Sequence, residues 1–275
     1  MLKKIGILYH PMNESAGKLA KELEKSLTKK GCSVWLCSSW EEESAKVKTD
    51  GTELILSVGG DGTILRSART AIPESIPILG INMGKLGFMA ELKADEAIEK
   101  LPAILDGKAW IEEHTMLKAE LASQGKTLYA LNDVFVGRRS SARLVNVVCR
   151  LNNTPLTTYR ADGVVVATAS GSTGYSLAAG GPILHPQAKE MLLTPICSHF
   201  SFSNTMVLPS NTRVELTVNT THEALLSIDG QTEVQLKNGD STKIMLSPYS
   251  AKFLRIRPKT YFYKFLDSKL KRKVQ

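Results

Sequence analysis

Residues Leu54-Ile55-Leu56-Ser57-Val58 form a short apolar run that passes directly into Gly59-Gly60-Asp61-Gly62-Thr63. The run reads as a strand buried on both faces, which belongs inside a parallel sheet covered by helices. Three glycines around one aspartate are costly, because glycine loses more backbone freedom on folding than any other residue. Such a turn is useful where the main chain must pass very close to a ligand or take up positive φ. In an open α/β sheet, the C-terminal end of a strand borders the usual ligand crevice.

The rest of the first hundred residues follows the same rhythm. Residues 5–9 read as a first strand. Asn13 or Ser15 can cap a helix through residue 30, with Leu19, Leu23 and Leu27 on one face and Gly31 as its stop. Residues 33–37 read as a second strand, 63–71 as a helix and 77–81 as a further strand. Asp95 is expected to cap a helix through residue 105, ended by Gly107. Alternating strands and helices of this kind make a parallel sheet with helices on both faces.

Near residue 110 the period changes. Segments 117–122, 145–151, 214–219, 224–228, 232–236 and 242–246 are short and apolar-alternating. Asn153-Thr154, Asp229-Gly230 and Asn238-Gly239 are hairpin-type turn signals. Helix-prone stretches at 175–179 and 187–193 interrupt them. The expected architecture is therefore α/β plus all-β. A Rossmann-like parallel domain over 1–108 carries the glycine turn, and an antiparallel, β-sandwich-like domain follows over 109–257. Residues 258–275, helix-prone over 261–271, are free to pack back on the first domain.

Composition narrows the class. The chain has 275 residues, 35 basic against 27 acidic, for a net charge of +8. That balance suits anionic ligands such as nucleotides but does not require one. The dense basic run Lys269-Leu270-Lys271-Arg272-Lys273 reads as a solvated end with little aromatic interleaving, so no nucleic-acid partner is expected. Cys32, Cys37, Cys149 and Cys197 form no metal-binding spacing and read as reduced core or near-core thiols. No apolar run approaches a membrane span or a signal peptide, so a cytoplasmic protein with no membrane partner is expected. His10, His114, His185, His199 and His222 are scattered, with no HExxH pattern and no GxSxG elbow.

The turn at 59–63 matches neither a Walker phosphate loop nor GxGxxG. Asp61 stands where a phosphate cradle avoids negative charge, unless its partner is a hydroxyl or a metal. A carboxylate there can take the proton of a sugar hydroxyl attacking a γ-phosphoryl group, or help hold magnesium. The competing reading is a structural Asx turn.

The GGDG turn resembles that of the diphosphate-binding kinases: NAD kinases, 6-phosphofructokinases, and diacylglycerol and sphingosine kinases. Gly80-Ile81-Asn82-Met83-Gly84-Lys85-Leu86-Gly87-Phe88 is similar to the GINxGxLGF segment of NAD kinases, where a lipid kinase shows a GTGND-like stretch. Arg160-Ala161-Asp162-Gly163, residues 164–169 and the run from Ser170 to Ile183 resemble the long signature of that family. Leu131-Asn132-Asp133 and Asp229-Gly230-Gln231 resemble two of its loops. The matches cover most of the chain in the family's order. Ala169 stands where proline is frequent and Gly174 where alanine is usual, and neither change removes a functional group.

The resemblance implies an NAD kinase, which transfers the γ-phosphoryl group of ATP, or of inorganic polyphosphate, to the adenosine 2′-hydroxyl of NAD. It implies Asp61 as general base and Gly62 as a point of close approach. Gly59, Gly60, Gly62 and Thr63 would form the phosphate turn, with Arg66 facing phosphate or solvent. Asn132 and Asp133 would meet ribose and adenine, flanked by Arg160 and Asp162, which could instead form a surface ion pair. Thr173, Gly174, Tyr175, Ser176, Leu177 and Ala178 would bind the dinucleotide, though helix capping explains Thr173 equally well. Arg143, Cys197 and Gln231 are weaker transfers. A divalent cation, Mg2+ foremost, would neutralise the donor phosphates, with no protein side chain implied as its direct ligand. The resemblance also implies a homodimer or homotetramer. The rival readings are a lipid or sugar kinase with the same turn, and a nucleotide sensor without catalysis. Pure binding gains little from a carboxylate beside phosphates, which counts against the sensor.

Overall fold

Each apolar run of the first hundred residues becomes a strand. The computed structural model describes residues 2–84, 87–139, 143–199 and 202–271, with side chains through residue 266. The chain divides into two units, residues 1–113 with 251–275 and residues 114–250.

The first unit runs β1 (Lys4–Tyr9), α1 (Glu14–Lys29), β2 (Ser33–Ser38), α2 (Glu42–Lys46), β3 (Leu54–Gly59), α3 (Asp61–Thr70), β4 (Pro77–Asn82), β5 (Leu92–Lys93) and α4 (Ala94–Leu105). β1 pairs in parallel with both β2 and β3, β3 with β4, and β4 with β5. The chain thus steps from β1 to one neighbour, then crosses back to build on the other side. The two halves diverge between β1 and β3, the position where open α/β sheets form a crevice.

Local chemistry explains the helices. The Asn13 side chain accepts the Ala16 N–H at 3.1 Å, capping α1. Ala16, Leu19, Ala20, Leu23 and Leu27 are buried on one stripe, and Gly31 ends the helix at φ +84°. They pack against Ile5, Ile7, Leu54, Leu56 and Leu79. α4 begins differently from expectation. Lys93 holds the cap position and Asp95 lies inside the first turn, while the Glu96 carboxylate accepts the Lys93 N–H at 3.1 Å. Because β5 runs straight into α4, the acidic residue three positions on reaches back to the strand's last amide.

The second half runs β6 (Trp110–Leu121), β7 (Lys126–Ala130), β8 (Asp133–Arg138), β9 (Val145–Leu151), β10 (Thr154–Ala161), β11 (Gly163–Ala167), α5 (Tyr175–Ala178), β12 (Met191–Ile196), β13 (Met206–Leu208), β14 (Val214–Asn219), β15 (Ala224–Ile228), β16 (Thr232–Leu236), β17 (Ser241–Arg255) and α6 (Tyr261–Lys271). One antiparallel sheet has the order β13-β12-β11-β8-β15-β16. A second antiparallel set joins β10, β9, β14 and the first residues of β17. Val134, Val136, Val164, Val166 and Leu226 of the first meet Val147, Cys149, Tyr159 and Leu216 of the second in one core. This is the α/β plus antiparallel β architecture that the change of period predicts.

The helix expected over 187–193 does not form. Residues 191–196 are instead β12, buried throughout and paired with β11 and β13. Met and Leu favour a helix only weakly, and cross-strand burial overrides that preference. Pro195, two residues beyond the expected helix end, also bars its continuation. Among the described residues, no helix is long and apolar enough to cross a membrane. The side chains of the basic run 269–273 lie outside the described residues.

The returning chain is fastened to the first unit through buried charge. β17 pairs Phe253 with Ile78 of β4. Arg255 donates from Nε to Glu112 at 2.7 Å and from Nη1 to the Met89 carbonyl at 2.7 Å. Glu91 is 3% exposed, lies 3.4 Å from Arg255 and accepts the Ile256 and Arg257 N–H groups at 3.0 and 2.8 Å. Removing one partner of such a set leaves buried charge uncompensated. Arg255→Met is therefore expected to cost roughly 3 kcal/mol or more, read as a lower urea midpoint; an unchanged midpoint would show that the network adds no net stability.

Candidate functional site

The C-terminal ends of β1, β3 and β4 border a cavity of about 450 Å³, lined by Asn13, Gly59, Gly60, Asp61, Asn82, Met83, Gly84 and Gly87. Its size suits a small-molecule site. At Gly59, a Cβ would lie 2.2 Å from the Thr63 hydroxyl, so only glycine lets β3 turn this tightly into α3. Gly60 has φ −101° and ψ −173°, an ordinary extended conformation, and nothing lies within 4 Å of where its Cβ would stand. Neither glycine takes positive φ; the close approach at 59 is to Thr63 of the same chain, and 60 presents an open face.

Asp61 is the first residue of the ten-residue α3, so its carboxylate sits at the positive end of the helix. Its Oδ2 accepts the Phe88 N–H at 3.1 Å. A Cβ at Gly87 would lie 2.0 Å from Asp61 Oδ1, so the backbone at 87–88 closes directly on the carboxylate. The Met83 N–H donates to the Gly59 carbonyl at 3.2 Å, and the Gly84 N–H to Asn82 Oδ1 at 2.6 Å, which shapes the opposite wall. Lys85 and Leu86 lie outside the described residues. The Phe88 ring meets Phe265 of α6 edge-on at 5.0 Å.

Arg66 is placed elsewhere. Five residues along a helix turn a side chain by about 140° from Asp61. Arg66 lies 3.6 Å from Glu42 of α2, a carboxylate also held by Arg69.

In the second unit, one buried aspartate organises the corner before β8. Asp229 takes φ 52° after β15, and its carboxylate accepts the N–H groups of Leu131, Asn132 and Asp133 at 3.1, 2.8 and 3.2 Å. Thr168 holds the same corner from the other side, donating to the Leu131 carbonyl at 2.6 Å and accepting the Gly171 N–H at 3.1 Å. A Cβ at Gly171 would lie 2.0 Å from the Asn132 carbonyl oxygen. The segments 131–133, 168–171 and 229 therefore form one interlocked piece. The Asn132 Oδ1 is buried without a hydrogen-bond partner among the described residues. The Asp133 carboxyl is pushed up to about 7, by burial first and by the charge of Asp229 second.

A second group stands on the same unit. Asp162 Oδ2 accepts from Arg138 Nη2 at 2.9 Å, and the Tyr175 ring lies 5.8 Å from Phe135. The Tyr175 phenol is raised by burial first, then by the negative charges of Asp162, Cys197 and Asp133. Asp133, Asp162, Tyr175 and Cys197 are thus brought together. Cys197 is exposed and takes φ 50°, which corrects its reading as a core or near-core thiol: β12 ends at Ile196 and the chain turns outward there. Cys32, Cys37 and Cys149 are buried.

Other expected residues are placed apart or turned away. Ser176 is buried, with its hydroxyl 3.0 Å from that of Thr194 and Gly181 packed closely against it. Thr173 donates to the Ser170 carbonyl at 3.3 Å, a bond internal to its own turn. Gly174 and Ala178 are exposed and Leu177 is half-buried. Arg160 is exposed on β10, and the ion pair of Asp162 is made with Arg138 instead. Arg143 is exposed, 3.3 Å from His222. Gln231 follows the Asp229-Gly230 turn and is half-buried, its N–H donating to the Ile228 carbonyl. Phe135, Arg138, Thr168 and the organising role of Asp229 were not foreseen. Only the Asp229-Gly230 turn left a trace in the sequence, and that trace signalled a hairpin rather than an amide acceptor.

Among the described residues, no group of three or more His, Cys, Asp or Glu side chains could hold a metal ion. Among the described residues that line the cavity, Asp61 is the one carboxylate.

Comparison with known proteins gives a consistent result. The profile of the ATP-NAD kinase N-terminal domain matches residues 2–109, and that of the ATP-NAD kinase C-terminal domain matches residues 131–256. The NAD kinase of Dehalococcoides mccartyi strain CBDB1 is 46% identical over 275 residues, covering 98% of this chain and 97% of the relative. That of Chloroflexus aurantiacus strain J-10-fl is 38% identical, covering 99% and 100%. Among solved structures, yeast NADH kinase complexed with NADH has the same fold, with TM-score 0.85, 24% identity and coverage of 97% and 86%. An NAD kinase from Archaeoglobus fulgidus in complex with ATP gives TM-score 0.76 at 25% identity, covering 96% and 97%.

Asp133 yields a pH test. Its carboxyl titrates near 3.8 when unfolded and about 7 when folded, so the native state holds the extra proton between those values. The stability this confers is complete below about pH 4 and lost as pH rises through 7. Asp133→Asn lacks this loss. Relative to the parent, its melting temperature should rise across pH 4–7 and level off above 7, by on the order of 2–4 kcal/mol in stability. A constant difference from pH 4 to 8 would mean that Asp133 titrates normally.

Proposed function

Because this chain belongs to the NAD kinase family, we propose that Asp61 is the general base by which it phosphorylates NAD to NADP. In this reading the ribose 2′-hydroxyl gives its proton to Asp61 as its oxygen forms a bond to the terminal phosphorus of ATP. The bond from that phosphorus to the bridging oxygen breaks, and ADP leaves with the electron pair. The observation that carries the reading is the Asp61 carboxylate, set in a cavity at the sheet's switch point and oriented by the Phe88 N–H.

The glycine turn supports the donor's role. The open face at Gly60 and the positive end of α3 suit phosphate. A lone carboxylate there opposes phosphate, which is tolerable where its partner is a hydroxyl about to lose a proton. A divalent cation fits as part of the donor: with no cluster of protein ligands among the described residues, it would arrive on the triphosphate. It would neutralise phosphate charge, while this chain's residues orient the acceptor. Inorganic polyphosphate remains a second donor under the same scheme.

For the dinucleotide, we assign Asn132 and Asp133 to adenine and ribose, on the buried amide oxygen of the first and the raised carboxyl of the second. The exposed Tyr175 ring offers an aromatic face, with Asp162 and Arg138 beside it. Ser176 would act through Thr194 rather than by touching ligand, and Arg66 through Glu42. Arg143, Arg160 and Gln231 are carried over on the family resemblance alone. Its free thiols suit the cytoplasm, and a homodimer or homotetramer is the assembly we assign to it.

Two substitutions test the base. Asp61→Asn should lower kcat by about 10²–10⁴-fold while largely sparing the dissociation constant of NAD; full turnover would refute the role. Gly87→Ala should also depress kcat, by at least about 10²-fold, because the added methyl overlaps the carboxylate while leaving Asp61 itself present. Normal turnover in that variant, with ADP formation coupled to NADP formation, would show that the 87–88 backbone does not orient the base.

A further inference from the structure

The loops that follow β1 and β2 carry three side chains outside the cavity lining and with no role so far: His10, Met12 and Trp40. Asn13 lines the cavity, and Met12 immediately before it is 74% exposed. The His10 N–H donates to the Val58 carbonyl at 3.0 Å, which seats His10 directly beside Gly59 and the phosphate turn. The Ser39 N–H donates to the Tyr9 carbonyl at 2.9 Å, which draws the end of β2 alongside the end of β1. Trp40 follows, its N–H donating to Ser38 Oγ at 3.2 Å.

The rings of His10 and Trp40 meet edge-on, 5.9 Å apart at 68°. Trp40 is thus held on one side by an aromatic contact and by main-chain bonds, yet 54% of it faces solvent. His10 Nδ1 is buried with no hydrogen-bond partner among the described residues. Planar bases stack on such rings, and an exposed thioether beside them adapts to the shape of what lands there. Of the three acids that follow Trp40, Glu42 is engaged by Arg66 and Arg69 and Glu43 by Lys46, while Glu41 is exposed.

We propose that His10, Met12 and Trp40 form the seat for the nucleobase of the phosphoryl donor, with its phosphates running over Asn13 toward Gly60. The proposal rests on the kinase reading above. It makes the chain selective for a nucleotide donor over a bare phosphate chain, since only the former has a plane to stack. The ligand class is a nucleoside triphosphate with a purine base, the larger stacking surface.

The test compares KM values for ATP and NAD in the wild type, Trp40→Ala and Trp40→Phe, with inorganic tripolyphosphate as a competitor of ATP. Trp40→Ala should raise KM for ATP by about 5- to 100-fold, with KM for NAD and saturated kcat within about twofold. Trp40→Phe should recover most of the loss, and inhibition by tripolyphosphate should be the same in all three. An unchanged KM for ATP, an equal rise in both KM values, or an equal loss of tripolyphosphate binding would overturn the proposal. Turnover of NAD by the wild type tests the kinase reading separately.

Discussion

The first unit depends on one close approach: the main chain at Gly87 and Phe88 lies against the carboxylate of Asp61. No side chain can intervene, because even a methyl at position 87 would sit inside the carboxylate's contact distance. The amide at 88 then fixes one oxygen at 3.1 Å. A carboxylate at a helix start is otherwise free to rotate or to cap its own helix. Here it is held by a segment that is distant in sequence and adjacent in space. The glycines at 59 and 60 shape the other wall, one by absence of clash and one by leaving the wall open.

The segment that supplies this clasp is itself anchored by charge. Met89 and Glu91 follow Phe88, and both are bound by the returning chain at Arg255–Arg257. Phe265 of α6 adds an aromatic contact to Phe88 itself. Residues at opposite ends of the sequence therefore converge on the loop that touches Asp61. Buried ion pairs add little net stability compared with apolar packing, but breaking one is costly. Such a set serves position more than stability.

The second unit uses a different solution with the same logic. Asp229 spends its carboxylate on three consecutive amides, which holds the corner where β7 has ended and β8 begins. Burial first, and the charge of Asp229 second, raise the neighbouring Asp133. A carboxylate used as an amide acceptor thus adds to the shift that burial imposes on the next one.

Much of this was legible in the residues themselves. The period of three to four in Leu19, Leu23 and Leu27, the cap at Asn13 and the doubly apolar run before Gly59 each express a local preference that the fold obeys. The change to alternating strands near residue 110 was likewise a local signal. Misreadings arose where long-range pairing outweighed such preferences: Met191–Ile196 became a strand because two neighbours needed it, and Cys197 turned outward where that strand stopped. Order along the chain determined most element types, the class of fold and the place of Asp61 at the end of β3, since periodicity and glycine spacing act within a few residues. Tertiary structure alone decided that Asp162 pairs with Arg138, that Ser176 faces the core, that the Phe88 N–H meets the Asp61 carboxylate, and that Asp229 holds the main chain at 131–133. Those partners lie 18 to 98 residues apart, and no local rule couples side chains at such separations.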